Sequence, residues 1–317
     1  MSESLYVGVD LGGTAIKIGL CNASGELLRT HEGPTQAADG ANAVLSNIAT
    51  YVQELVAPGT PEWDAVAGIG IGIAGFLNIP DGIIEFSANL PFKDVHVKQI
   101  IEEKLGKPVK INNDANVAAL GEAWGGAGKG ISNCVCYTLG TGVGGGIILN
   151  DRLIEGYKAM AGELGHMAVV PDLEAIQCGC GKNGCLETVS SATGIIRMAE
   201  DAVGRGDRTA LSLVEEPLTA KHVIDAAKSG DEVAQRIVSR AAYYLGKSMA
   251  TIAIVVNPQR FILGGGVSKA GEFLFGQIRE VFQKLTPAQA QEGVEIVAAE
   301  LGNNAGVVGA AGLFLRA

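Results

Sequence analysis

The apolar positions fall first into short runs and later into helical spacing. Residues 5–9, 15–20 and 25–30 are brief stretches rich in β-branched side chains, divided by Gly-Gly and Ser-Gly turns, and predict a three-strand hairpin meander. A helical pattern over 41–56 follows, broken by Pro58-Gly59, and then a buried strand over 65–74. A helix over 95–105, a strand over 109–112 and a helix over 115–124 complete the first series. Two strands around a glycine turn, 133–139 and 143–149, partly restart it and read as a weak internal duplication. The longest helix places Ala234, Ile237, Val238, Ala241, Leu245, Met249, Ile252 and Val256 on one face and stops at Asn257-Pro258. A strand over 261–263, a strand over 294–298 and an apolar helix over 305–315 close the chain. The economical arrangement is two α/β lobes with a cleft between them.

Composition narrows the function. The 317 residues, 47% hydrophobic and 18% charged, suffice for two cored units and exclude a disordered chain. A net charge of −10 disfavours nucleic acid and anionic membranes as partners. The chain opens on Met1-Ser2-Glu3-Ser4 without a basic secretory region, and its longest uncharged stretch, 134–149, is too short and glycine-rich to span a bilayer. A cytoplasmic enzyme is the expectation. The 45 glycines have no collagen-like period, so they are expected where backbone approaches backbone or ligand.

Three of the glycine turns directly follow strands: Asp10-Leu11-Gly12-Gly13-Thr14, the run from Leu139 to Gly146, and Gly264-Gly265-Gly266. Each alone reads equally as a hairpin turn. Together, with amides free to converge on anions and Asp10 able to hold Mg²⁺ through water, they point to a nucleotide. Two look-alikes are set aside. The segment Gly246-Lys247-Ser248 lies inside the long helix, and Gly70-Ile71-Gly72-Ile73-Ala74-Gly75 is followed by Pro80 and Asp81-Gly82 where a dinucleotide motif needs a helix. Its glycines are expected instead to let the strand end come close to a ligand or to the other lobe.

The segment Asn112-Asn113-Asp114-Ala115-Asn116 joins a strand to a helix. A carboxylate there could accept a proton from an attacking hydroxyl while neighbouring asparagines fix the substrate. Taken alone, Asp114 reads better as a helix N-cap, and Asn89-Leu90-Pro91 reads as a plain turn. His166, Cys178, Cys180 and Cys185 form an H-x11-C-x-C-x4-C pattern, a closed Cys3His set suited to structural zinc. Glu163, one short turn earlier, could share a substrate hydroxyl with the other ring nitrogen of His166. Cys134 and Cys136, two apart on a strand, read as core; Cys21, His31, His96 and His222 receive no role.

These motifs, with Ala161-Gly162-Glu163-Leu164-Gly165-His166 and Cys178-Gly179-Cys180-Gly181-Lys182-Asn183-Gly184-Cys185-Leu186-Glu187, resemble the ROK sugar kinases, most closely the ATP-dependent bacterial glucokinases, across essentially the whole chain. The resemblance implies an α/β, two-lobe actin-like (ribonuclease H-like) fold with an interlobe cleft. A small lobe of residues 1–113 would be rejoined by a C-terminal helix, 302–317, and a large lobe of 114–301 would carry the zinc insertion; a homodimer is expected. By the same resemblance Asp114 is the general base for the glucose 6-hydroxyl attacking Mg-ATP. Asn89, Asn113, Glu163, His166 and Glu187 hold sugar hydroxyls. Asp10, Gly12, Gly13, Thr14, Thr141 and Gly142 serve magnesium and phosphates, Gly265 and Gly266 the nucleoside, and His166, Cys178, Cys180 and Cys185 bind zinc. Ala74 stands where members often have proline, which implies a shifted loop. Three rivals remain: a kinase for fructose, allose or N-acetylmannosamine; a sugar-responsive repressor, disfavoured because the phosphate-loop strand begins at Tyr6 with no DNA-reading segment before it; and a silent sugar-binding protein.

Overall fold

The computed structural model of the chain describes residues 4–87 and 89–316. The predicted meander is present as β1 (Leu5–Leu11), β2 (Ala15–Asn22) and β3 (Leu27–Pro34). After it come α1 (Ala41–Leu55), α2 (Pro61–Ala65), β4 (Val66–Ile73), β5 (Phe76–Asn78), β6 (Ile83–Phe86), β7 (Lys93–Val95), α3 (Val97–Leu105), β8 (Val109–Asn113) and α4 (Asp114–Gly125). The second series runs through β9 (Cys134–Leu139), β10 (Val143–Leu149), β11 (Arg152–Leu153), α5 (Glu187–Ser190), α6 (Ala192–Gly204), α7 (Ala220–Lys228) and α8 (Glu232–Val256). It ends with β12 (Arg260–Gly264), α9 (Glu272–Leu285), α10 (Ala288–Gln291), β13 (Glu295–Ala298) and α11 (Ala305–Arg316).

The two five-stranded sheets have one topology written twice, β3-β2-β1-β4-β8 and β11-β10-β9-β12-β13. In the first, β1, β4 and β8 are parallel; in the second, β9, β12 and β13 are. The duplication visible in the glycine turns is thus a duplication of sheet order. A third sheet, β5-β6-β7, is an element the sequence reading lacked. Its strands are three or four residues long and partly exposed, so neither length nor alternation marks them.

Packing divides the chain into two compact units. One comprises Met1–Ser132, Gly146–Gly162 and Glu300–Ala317, the other Asn133–Gly145 and Glu163–Ala299. In the first unit the period of two along each strand sorts residues to opposite faces. Val7, Val9, Leu11, Ile69, Ile71 and Ile73 point to one face and form a core with Leu45 and Ile48 of α1 and Ile101 of α3. The opposite face carries glycines, and α11 lies directly on it. A β-carbon at Gly8 would come within 1.8 Å of the Val307 carbonyl oxygen, and one at Gly70 within 1.7 Å of that of Ala310. Across the helix pair, a β-carbon at Gly309 would stand 1.6 Å from the Val117 oxygen. Backbone touches backbone along this seam, so only glycine fits. Gly70 and Gly72 therefore serve the packing of α11 and α4 rather than an approach to ligand.

A buried carboxylate fastens the same helices. Glu122, near the end of α4, accepts the amide hydrogens of Ala127, Glu300 and Leu301 at 3.0, 3.0 and 2.8 Å, holding the segment that leads into α11. Lys110 donates to the Leu313 carbonyl at 2.8 Å, at the other end of α11, where a cation complements the helix dipole.

Candidate active site

Alternation along β1 puts Asp10 on the glycine face, where Gly306 at the start of α11 leaves room for it: a β-carbon at 306 would meet its Oδ2 at 2.7 Å. The turn that follows is tied down by Thr35. This buried residue donates its hydroxyl to the Gly12 carbonyl at 2.7 Å and its amide to that of Thr14 at 2.9 Å. Gly13 and Thr14 remain exposed at the tip. Asn89 is exposed beside them, with its carbonyl oxygen 3.3 Å from where a Gly13 β-carbon would lie. Nothing in the sequence pattern distinguishes Thr35, a lone threonine after a strand.

At the end of β8 the capping role falls to Asn113. Its Oδ1 accepts the amide hydrogens of Ala115 at 2.9 Å and Asn116 at 3.3 Å. The reading of Asp114 as N-cap is therefore corrected: Asp114 is the first helical residue, with its side chain turned outward. Its carboxylate is open to solvent by surface area yet ringed by protein, and partial desolvation is the main influence raising its pKa, opposed by the amide of Ala115. Asp10 is raised from 3.8 to about 6, chiefly by burial, then by the charge of Asp114, with Lys17 pulling the other way. Two carboxylates thus share one region of the first unit. Asn112 and Asn116, expected to join in fixing substrate, are instead buried and bonded to each other at 3.1 Å, leaving Asn113 and Asp114 to face outward.

In the second unit, Glu187 opens α5 and braces the turn between β9 and β10 by accepting the Val143 amide hydrogen at 2.9 Å. Its other oxygen receives the Cys178 thiol at 3.5 Å. Thr141 and Gly142 sit at the tip of that turn, closed by Gly140 donating to the Gly142 carbonyl at 3.0 Å. Glu163 accepts the His166 amide at its own carbonyl, 3.1 Å away, in the turn Leu164–His166. Gly265 takes φ +87 and lies where a β-carbon would strike the Leu139 oxygen at 2.4 Å, which brings the third glycine turn against the second.

His166, Cys178, Cys180 and Cys185 converge, one ligand atom from each lying within 4.8 Å of the others. The Cys180 and Cys185 sulfurs are 3.7 Å apart, as are the Cys178 sulfur and His166 Nδ1. Tetrahedral zinc with Zn–S near 2.3 Å implies sulfur–sulfur edges of about 3.8 Å, so the donor set fits that ion. Cys134 and Cys136 are buried in β9 and are not among the residues of this cluster.

The ROK family model matches residues 6–317. The chain belongs to the ROK family. A glucokinase of Halalkalibacterium halodurans is 43% identical over 98% of this chain and 94% of its own, and a glucokinase of Streptomyces coelicolor is 35% identical over 98% and 97%. A ROK glucokinase of Streptomyces griseus, solved in complex with glucose and AMPPNP, superposes with a TM-score of 0.76 at 35% identity, covering 98% of this chain and 99% of that one. The α/β, two-lobe actin-like fold expected of a ROK sugar kinase is thereby established. Among the described residues no helix is long and apolar enough to cross a membrane.

Proposed function

We propose that this ROK protein is a glucokinase, transferring the γ-phosphoryl group of Mg-ATP to the 6-hydroxyl of glucose. The observation that carries the reading is the division of labour at the β8–α4 corner: Asn113 caps the helix, so the Asp114 carboxylate is free to act as base. Phosphoryl transfer depends on positioning and charge stabilisation more than on covalent help from the protein. Asp114 takes the hydroxyl proton as the oxygen attacks. Its pKa is raised, chiefly by desolvation, which makes it a better proton acceptor than an ordinary surface aspartate.

The two packing units act as the two lobes of the enzyme. Asp10 holds the magnesium that accompanies ATP through water, and Gly12, Gly13, Thr14, Thr141 and Gly142 offer amides and hydroxyls to phosphate oxygens. Gly265 and Gly266 lie against the nucleoside. Asn89, Asn113, Glu163, His166 and Glu187 bind sugar hydroxyls. Zinc, held by His166, Cys178, Cys180 and Cys185, supplies no reaction chemistry but would fix the ring of His166. With Nδ1 facing the cluster, Nε2 remains for a hydroxyl. The setting is cytoplasmic and the assembly a homodimer, a reading supported by the family resemblance and by a thiol cluster that a reducing compartment would preserve.

The test is coupled ADP release with Mg-ATP over glucose, fructose, mannose, allose and N-acetylmannosamine. Preference for glucose supports the reading; turnover of another hexose alone changes the substrate, and no turnover at all would leave a sugar-binding protein.

A further inference from the structure

Asn112 is buried at the end of β8, one residue before the corner that presents Asn113 and Asp114. Its Oδ1 accepts the Asn113 amide hydrogen at 2.8 Å and the Asn116 Nδ2 at 3.1 Å, while its own Nδ2 donates to Glu155 Oε1 at 2.5 Å. The amide orientation is fixed by these partners. Turned over, its oxygen would face a carboxylate and its NH2 group an amide N–H, both repulsive. Glu155 is half-buried and, among the described residues, forms no ion pair. Its backbone carbonyl accepts the Ala161 amide at 3.0 Å, closing residues 155–161 into a loop whose exposed side chains include Tyr157 and Met160. That loop leads through Gly162 to Glu163.

We propose that Asn112 and Glu155 form a positioning pair, which locks the Asn113-Asp114 corner in register with the loop that delivers Glu163. The pair touches no reacting atom. It rests on the reading of Asp114 as base and Glu163 as sugar ligand, and adds to it the device that sets their backbones. A catalytic carboxylate displaced by about an ångström can lose roughly a hundredfold in rate, so a pair so close to Asp114 governs kcat. Through the 155–161 loop it also governs KM for the sugar and leaves KM for ATP little changed.

A hydrogen-bond reversal tests this. Asn112→Asp sets a second carboxylate against Glu155 and should lower kcat roughly ten- to hundredfold with a raised KM for glucose. Glu155→Gln keeps an acceptor for Asn112 and should stay within about threefold of the parent. In the double variant Asn112→Asp/Glu155→Gln the bond runs the other way: the introduced glutamine donates to the introduced aspartate, which still accepts from Asn113 and Asn116. Activity should return to within about threefold of the parent. Melting temperatures are recorded for all three. An Asn112→Asp enzyme as active as the parent, or a double variant as stable as the parent but no more active than Asn112→Asp, overturns the proposal. Should the double variant fail to fold, Glu155→Ala decides. Lower kcat and higher KM for glucose at unchanged KM for ATP support the pair, and unchanged constants overturn it. Activity surviving in Asp114→Asn would instead overturn the base assignment, so the two failures are told apart.

Discussion

Asn113 and Asp114 divide two tasks that one residue cannot perform together: the asparagine oxygen takes the first amides of α4, and the neighbouring carboxylate is left facing outward. Removing each should therefore have a different signature. Asp114→Ala should lower kcat by about two to four orders of magnitude, the usual worth of a general base, with glucose binding by calorimetry retained. Asn113→Ala should cost about 1 kcal/mol of stability for the lost cap and weaken sugar binding besides. A fully active Asp114→Ala enzyme would remove the base from the mechanism.

The acid limb of the rate profile follows from the same corner. Because the Asp114 pKa is raised, mainly by desolvation, kcat/KM should begin to fall on acidification at a higher pH than an unperturbed aspartate near 3.9 would give. A limb at or below that ordinary value would contradict the local electrostatics.

Asp10 should cost the unliganded protein stability. Its pKa rises from 3.8 to about 6 on folding, so the native state holds the proton more tightly, and stability falls as pH rises through that window. Asp10→Asn should stabilise the unliganded chain at pH 7.5 by up to about 3 kcal/mol. The gain should shrink as pH is lowered from 6 towards 4, and magnesium-dependent turnover should be lost. Thermal scans of both proteins at pH 5 and 7.5 check the sign.

Cys180→Ser should release zinc and raise KM for glucose, because the ring of His166 loses its anchor. Metal content by mass spectrometry and sugar affinity should change together. Unchanged metal content with unchanged affinity would exclude the cluster as a zinc site.

The glycine seam makes a purely structural prediction. In Gly309→Ala the new methyl would stand 1.6 Å from a main-chain oxygen of α4, which no rotamer change can relieve. A loss of at least about 3 kcal/mol is expected, read as a fall in the denaturation midpoint.

Most elements were legible because their signals are local. Strand lengths, the proline stop after α8 and the cysteine spacing each depend on neighbours in sequence, and the second glycine turn even exposed the repeated topology of the sheets. What stayed hidden depends on partners far along the chain. Asn112 and Asn116 look like substrate ligands until Glu155 is seen beside them. Glu122 is an ordinary helix glutamate until the amides of Glu300 and Leu301 arrive. The glycines of β4 mimic a nucleotide motif because close approach to a ligand and close approach to a helix demand the same absence of a side chain.

The position of α11 in the sequence has a consequence for biosynthesis. The helix that covers the glycine face of β1 and β4 is made long after both strands, and its contacts join Gly8 to Val307. Until α11 has been made, that sheet face is bare backbone and aliphatic edge. The first unit is therefore begun early and closed late, and in the interval it exposes surface that the finished fold covers.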